Sequence, residues 1–174
     1  MFKKLLLIII PFILFSCTSN VDEVEIKKAN QFFESIFQDR VLDSPEFQAS
    51  LGYKSNYDKW DDITWQNSRR KAKQAIDDLA YLRENINFDK LDESTKISYL
   101  LMEKRLQRTI DNDKFIFHGY MITHRGGKHS SIPSFLINYH KIDEEQDVKD
   151  YIGRLRNIES LMNDLIEQLR LRQD

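Results

Sequence analysis

The sequence predicts an all-α fold, a helical array of about four long helices with short connecting helices. Breakers are scarce, because only 5 Gly and 3 Pro occur in 174 residues, whereas residues that favour helices are abundant. Four segments repeat apolar residues at spacings of three and four. The two-residue alternation of strands extends at most over residues 115–120. A chain of this length fits one domain.

The first sixteen residues predict a secretory signal peptide. Lys3 and Lys4 precede an apolar run from Leu5 to Phe15 that contains Pro11. As a helix this run would span about 16 Å, well short of the roughly 30 Å hydrocarbon core of a bilayer. It is therefore too short to predict a membrane-spanning helix.

The residues that follow predict lipidation of Cys17, the only cysteine of the chain. The stretch "LFSC" at 14–17 resembles the bacterial lipoprotein box, in which the thiol receives a diacylglyceryl group and fatty-acyl chains such as palmitate. We expect removal of residues 1–16, a short lipidated tether over 17–21 and a helical domain over 22–174. The protein would then be exported and membrane-anchored, on the periplasmic side or outer membrane of a Gram-negative cell. A plain signal peptide with an incidental cysteine is the alternative.

Charge argues against a nucleic-acid partner. The net charge is −2 and the basic residues do not cluster. Loss of Lys3 and Lys4 with the signal peptide leaves 24 basic against 28 acidic residues, so the exported part is more acidic still. With a single cysteine, no disulfide can form within the chain.

The first long helix is predicted from about Val21 to Arg40, with Asn20 and Glu23 as a capping box. Its inward stripe is Ala29, Phe32, Phe33, Ile36 and Phe37. A short helix follows, with Ser44 as N-cap, Pro45 at the first position and Gly52 as its end.

The connection at residues 44–65 holds both tryptophans, and large rings fill gaps between helices well. We expect its aromatic residues to pack between the first and second long helices; they are Phe47, Tyr57, Trp60 and Trp65. Its acidic residues would stay solvated or cap the next helix at Thr64; they are Asp58, Asp61 and Asp62. The alternative is an aromatic platform for peptide or sugar substrates.

Three further long helices are predicted. The second runs from Thr64 to Asn85, with Ala72, Ile76, Leu79 and Leu82 inward. The third runs from Asp92 to Ile110, with Ile97, Leu100, Leu101 and Leu106 inward. The last begins after Asp143 and is expected to be unbroken; its inward residues are Val148, Tyr151, Ile152, Leu155, Leu161, Met162, Leu165, Ile166 and Leu169.

Residues 117–143 contain all four histidines and predict a loop with a Gly hinge and partly exposed imidazoles. No histidine is followed four residues later by another, so the His-Glu-x-x-His pattern of zinc peptidases is absent, and "GGK" lacks the other residues of a phosphate loop. No catalytic residue, metal ligand or cofactor is therefore assigned. A more specific hypothesis is that His124 and His129 lie at the edge of a substrate groove. Candidate groove or packing residues are then Tyr57, Trp60 and Trp65.

Three stretches in this order resemble the N-terminal part of a bacterial family catalogued as domain of unknown function 885, many of whose members are exported lipoproteins. They are "FFESIFQDRVLDSPEFQASLG", "YDKWDD" and "FLINYHKIDEEQDVKDYIGRLRNIESLMNDLIEQLR". The Ser-Pro-Glu turn, the Tyr-Asp-x-Trp segment and the pair Arg154 and Leu155 carry the resemblance, which extends from about Phe32 to Arg170. Where the family often has a proline soon after this pair, the chain has "NIES" at 157–160.

The resemblance implies a helical fold similar to zinc peptidases of the angiotensin-converting and carboxypeptidase Taq kinds. In such proteins the zinc ligands lie in the C-terminal half, so zinc is expected only for a full-length member and no ligand transfers to a residue of this sequence. Three hypotheses follow: a non-catalytic N-terminal part of a lipid-anchored peptidase, a complete small lipoprotein that binds a peptide or protein, or one half of a protein assembled with a separate C-terminal half. The first is favoured because "LIEQLRLRQD" ends without a Gly or Pro stop.

Overall fold

A computed structural model describes residues 20–173 and confirms the all-α prediction. The helices are α1 (Glu23–Leu42), α2 (Pro45–Ser50), α3 (Trp65–Asn85), α4 (Glu93–Asn112), α5 (Lys128–Asn138), α6 (Glu145–Arg156) and α7 (Ile158–Arg170). Single 3₁₀ turns lie at Phe88–Lys90 and Asp113–Phe115. The predicted signal peptide and Cys17 lie outside the described residues.

The starts of α1 to α4 follow local capping chemistry, and three of these four starts were predicted. Ser44 accepts a hydrogen bond from the Phe47 amide at the start of α2, where Pro45 takes the first position. Thr64 caps α3 and Asp92 caps α4 in the same way. For α1 the prediction was wrong by two residues, because Asp22 rather than Asn20 accepts from the Val24 amide, at 2.9 Å.

The larger core lies among α1, α3 and α4. Its buried residues are Ala29, Ile36, Ala75, Leu79, Leu82, Ile86, Leu91, Tyr99 and Leu106. Three predicted stripes of this core are partly wrong. On α1, Phe37 was predicted to face inward but is exposed. Ile76 of α3 is exposed while Ala75 is buried, and α4 buries Thr95, Tyr99 and Leu106. Ile97, Leu100 and Leu101 are exposed instead, because the neighbours of α4 pack against a different face of this helix.

A second core joins the connection at 51–64 to α5 and α7. Phe135 of α5 packs with Ala49 and Tyr57, and Trp60 contacts this group. Ile132 and Leu136 of α5 pack with Leu161 of α7. Residues of two chain regions that are distant in sequence therefore share one apolar interior.

Residues 117–143 are more ordered than predicted. A tight antiparallel hairpin, β1 (Ile122–Thr123) with β2 (Gly126–Gly127), leads directly into α5. The predicted loop is wrong at α5 because Ile132, Phe135 and Leu136 bury one helical face although Pro133 lies inside the helix. The extended segment allowed at residues 115–120 is also wrong, since it holds the end of a 3₁₀ turn and further turns.

The last predicted helix is broken at Asn157 into α6 and α7, which corrects the expectation of a continuous helix. The Asn157 side-chain amide donates to the backbone oxygen of Asp58, at 3.1 Å, so the break coincides with a contact to the connection. Leu161 and Leu165 are buried as predicted, whereas the inward prediction is wrong for Val148, Ile152, Leu155 and Ile166, which are exposed. None of the helices in the described part of the chain is long and apolar enough to cross a membrane.

The close approach of α6 to the connection generates a test at Gly153. A Cβ at this position would lie 2.9 Å from the Cβ of Asp58. Gly153→Ala should therefore lower the free energy of unfolding by about 1–3 kcal/mol, although alanine normally favours a helix interior. Gly119→Ala is the control, because nothing lies within 4 Å of its added Cβ. Equal urea midpoints for the two variants would contradict the close packing.

Candidate functional site

Arg154 is the centre of the most buried polar cluster in the described residues. Its side chain is 0% exposed. The guanidinium donates from Nε to the Lys59 backbone oxygen at 3.0 Å, and from a terminal nitrogen to the Pro45 oxygen at 3.4 Å. The other terminal nitrogen lies 2.8 Å from Nδ1 of His140. One side chain of α6 thus joins three segments that are far apart in sequence.

Three aromatic rings enclose the guanidinium of Arg154. Its central carbon lies 4.8 Å from the ring centre of Phe135, 4.9 Å from Tyr57 and 5.7 Å from Trp60. The Trp60 indole also donates to the Arg154 backbone oxygen at 3.0 Å. Cation–π attraction is strong where the cation is desolvated, so these rings offset part of the loss of hydration. We call Arg154, His140, Tyr57, Trp60 and Phe135 the Arg154 cluster.

The contact with Arg154 fixes the tautomer of His140. A guanidinium can only donate, so Nδ1 of His140 must accept and the ring proton lies on Nε2. Nε2 then donates to the Asp147 backbone oxygen at 3.0 Å. Burial lowers the pKa of His140 below its usual value, and the nearby Arg154 charge lowers it further. The imidazole is therefore held neutral, and His140 is buried rather than exposed as the loop prediction implied.

Asp147 anchors the first turn of α6 beside the cluster. Its carboxylate is almost fully buried and accepts from the Asp143 amide at 2.8 Å, the Glu144 amide at 3.0 Å and Nζ of Lys54 at 2.7 Å. The hydrogen bond from Lys54 lowers the pKa of Asp147, and the same bond raises the pKa of Lys54. Both groups therefore stay charged at neutral pH.

Every polar atom of this arrangement that faces the interior has a protein partner. Tyr57 accepts from the Lys141 amide at 2.7 Å, and its ring stacks on His140 with centres 4.0 Å apart. Arg154 makes no ion pair within residues 20–173, and burial lowers its pKa. A site in which each buried nitrogen and oxygen already has a partner within the protein joins the segments that supply those partners.

The predicted aromatic residues lie in three places. Tyr57 and Trp60 join the Arg154 cluster, so the expected position between α1 and α3 is wrong for them. Trp65 contacts Phe117, with ring centres 6.3 Å apart. Phe47 does contact α1, through Phe37.

The acidic residues of the connection also have different hydrogen-bond partners. As predicted, Asp62 supports the start of α3 at Thr64, because its carboxylate accepts a hydrogen bond from the Thr64 amide at 2.9 Å. Asp61 instead accepts from Ser44 Oγ at 2.6 Å and from the Glu46 amide at 2.9 Å. It therefore fixes the start of α2, which the sequence reasoning did not foresee.

The two candidate histidines lie at exposed positions. His124 is in the turn between β1 and β2, and His129 is in the first turn of α5. Neither takes part in the Arg154 cluster. The sequence reasoning missed His140, Asp147 and Lys54 as a connected set, although an arginine between Tyr151 and Leu155 in an apolar helical pattern was an available signal.

A zinc ion, which the resemblance implies for full-length family members, does not fit the described residues. Within residues 20–173 no group of three His, Cys, Asp or Glu side chains could hold a metal ion. Both ring nitrogens of the buried His140 are engaged in hydrogen bonds. No chemical step through a metal is therefore assigned to these residues.

Comparison with known proteins gives one match. The sequence model of a family described as bacterial proteins of unknown function (DUF885) matches residues 45–174. No curated protein and no solved structure matches the chain. The matched range contains every residue of the Arg154 cluster.

The geometry around Arg154 predicts that lysine cannot replace it. A lysine ammonium cannot reproduce a planar fork that reaches two backbone oxygens and an imidazole. Arg154→Lys should lower the free energy of unfolding by about 3 kcal/mol or more, because it leaves buried acceptors unpaired. Arg156→Lys, on an exposed position of α6, should change it by less than about 0.5 kcal/mol. Urea denaturation measures both, and a similar small change in each would contradict the role of Arg154.

The lowered pKa of His140 predicts acid sensitivity in a defined range. Below about pH 6.5 the unfolded chain binds a proton at His140 that the folded chain does not, so stability falls as the pH falls through this window. The slope cannot exceed about 1.4 kcal/mol per pH unit for one group. Asp147 titrates at lower pH, because its pKa lies below 3.8.

Urea denaturation between pH 7.5 and 5 tests this dependence. His140→Gln should be less stable at neutral pH but should lose part of the slope, because no imidazole remains to be protonated. His124→Gln, which changes an exposed imidazole, should keep the slope of the unaltered protein. An unchanged slope in His140→Gln would show that another group carries the acid sensitivity.

Proposed function

Because the chain belongs to the bacterial family of unknown function DUF885, we propose that it is the helical scaffold of an exported, lipid-anchored protein similar to helical zinc metallopeptidases. In this proposal residues 20–173 are not catalytic by themselves. A C-terminal half, in the same protein or a separate chain, would supply the metal and the chemistry.

The observation that carries the proposal is that each guanidinium nitrogen of Arg154 already has a hydrogen-bond partner within the protein. The arginine that belongs to the family resemblance donates to two backbone oxygens and to a neutral histidine, all within the protein. A catalytic group needs an atom free to reach a substrate, whereas these atoms are used for joining α2, the 51–64 connection and α6. The arrangement supports a role as a rigid frame.

The membrane anchor of the proposal is Cys17. Five residues lie between Cys17 and the start of α1 at Glu23, and the chain from one to the other spans at most about 20 Å. A lipid on Cys17 would therefore keep the first turn of α1 close to the bilayer surface. Two or more acyl chains are needed for durable anchoring, which the lipoprotein modification provides.

A second candidate is a complete small lipoprotein that binds a peptide or protein partner without chemistry. The observation that favours it is an apolar stripe on α6, where Val148, Ile152 and Leu155 recur at helical spacing and are each 41–44% exposed. Contiguous exposed apolar surface is typical of interaction sites. In this version the partner of the stripe is a separate protein rather than a C-terminal half.

Intact-mass measurement of the native protein, extracted from membranes with detergent, tests the anchor and separates the two candidates. We expect loss of residues 1–16 and addition of a diacylglyceryl group with fatty-acyl chains. A mass several times larger than this chain plus lipid supports a peptidase with its C-terminal half in the same protein. A mass near that of this chain plus lipid supports the small non-catalytic lipoprotein if no second chain co-purifies with it, and one half of an assembled peptidase if a metal-binding chain does.

Cys17→Ser provides the matched control, because it keeps the size and polarity of the side chain but removes the nucleophile. The variant should leave the membrane fraction or retain its signal peptide, and it should carry no lipid. Membrane association and lipid mass that persist in Cys17→Ser would overturn the anchor. Absence of lipid from the unaltered protein would overturn it as well.

A further inference from the structure

A cleft of about 390 Å³ lies among α1, α2, α3 and α4, and Arg154, His140 and Asp147 are not among its lining residues. This volume lies within the range of small-molecule sites. The floor is apolar, formed in part by Ile36, Ala75 and Leu106, while charged side chains stand at its rim. Seven of the fourteen residues that line the cleft are charged, which favours a charged ligand over an apolar one.

Two guanidinium groups lie in the cleft without a carboxylate partner. Arg40 of α1 lies over the Phe47 ring, with its central carbon 4.5 Å from the ring centre. Arg105 projects from α4, and neither arginine forms an ion pair within residues 20–173. Burial lowers the pKa of Arg105, and repulsion from Arg40 lowers it further. An anion placed between the two would relieve this repulsion.

Two carboxylates of the same cleft are also left without a cation. Burial raises the pKa of Asp78, and repulsion from Asp39 raises it further. Asp39 has only a long contact, 3.4 Å, with the side-chain amide of Gln74. Neither carboxylate forms an ion pair in the described part of the chain.

The remaining carboxylates of the cleft are already engaged. Asp43 pairs with Arg70 and with Lys71, the latter at 3.3 Å. Asp61 holds the start of α2 through Ser44 and the Glu46 amide. Within the described residues the cleft therefore contains two guanidinium groups and two carboxylates that form no ion pair.

We propose that this cleft binds a small zwitterion, with its carboxylate held by Arg40 and Arg105 and its ammonium held by Asp39 and Asp78. The planar guanidinium fork matches a carboxylate, and an ammonium has three donors for carboxylate oxygens. Stacking on Phe47 holds Arg40 in place before a ligand arrives, which reduces the entropy lost on binding. The site is independent of lipidation and of any metal.

Isothermal titration calorimetry on the full chain in detergent micelles tests the site. The probes are glycine, 4-aminobutanoate and 6-aminohexanoate, in which the ammonium and carboxylate are progressively further apart. Butanoate and butylamine, each with one of the two charges, are measured at equal ionic strength. We expect one zwitterion of the series to bind at least about tenfold more tightly than either singly charged probe.

Variants locate the binding. Arg105→Gln and Asp78→Asn should each weaken binding of the preferred zwitterion by about fivefold or more, since each removes one charge of the site. The matched controls are Arg156→Gln and Asp89→Asn, which change exposed residues outside the cleft. Melting temperatures establish that all four variants are folded.

Three results would overturn the proposal. The first is no binding heat for any of the three zwitterions up to about 10 mM. The second is butanoate or butylamine binding as tightly as the best zwitterion, which would show that only one charged pair is used. The third is equal weakening in the control variants, which would place the binding elsewhere.

Discussion

Burial of the Arg154 guanidinium is the constraint on which the second half of the structure depends. A buried charge without an ion pair is costly unless it is hydrogen-bonded, and here each guanidinium nitrogen has one acceptor, on Pro45, Lys59 or His140. These residues are up to 109 positions away from Arg154 in sequence. The buried Arg154 side chain therefore links α2, the 51–64 connection and α6 in the folded structure.

Burial of the Arg154 guanidinium also explains why the connection contains large aromatic residues. Tyr57 and Trp60 cover the faces of the cation, and the Trp60 indole closes the arrangement by binding the Arg154 backbone. Gly153 of α6 lies close to Asp58, and Asn157, just after α6, donates to the Asp58 backbone oxygen, so the connection lies directly against the end of that helix. A chain segment without regular structure is thereby held by packing and hydrogen bonds from both sides.

The structure separates its polar groups into two kinds. The polar groups around Arg154 already have hydrogen-bond partners within the protein, which suits a frame that joins distant segments. In the cleft among α1 to α4, by contrast, Arg40, Arg105, Asp39 and Asp78 form no ion pair within the described residues, an arrangement that reduces stability unless a ligand neutralises it. Proteins often give up stability where they bind ligands, so the second kind is the better place to look for recognition.

Local sequence was enough to predict the helical class, the starts of α2, α3 and α4, and the left-handed Gly52 that follows α2, because propensity, capping and periodicity act over a few neighbouring residues. Only the tertiary structure decided that α5 forms despite Pro133, that the last helix breaks at Asn157, and that the exposed face of α4 includes Ile97, Leu100 and Leu101. It also brought Arg154 to His140 and Tyr57. Such outcomes depend on which distant segment covers a given face, and local patterns do not contain that information.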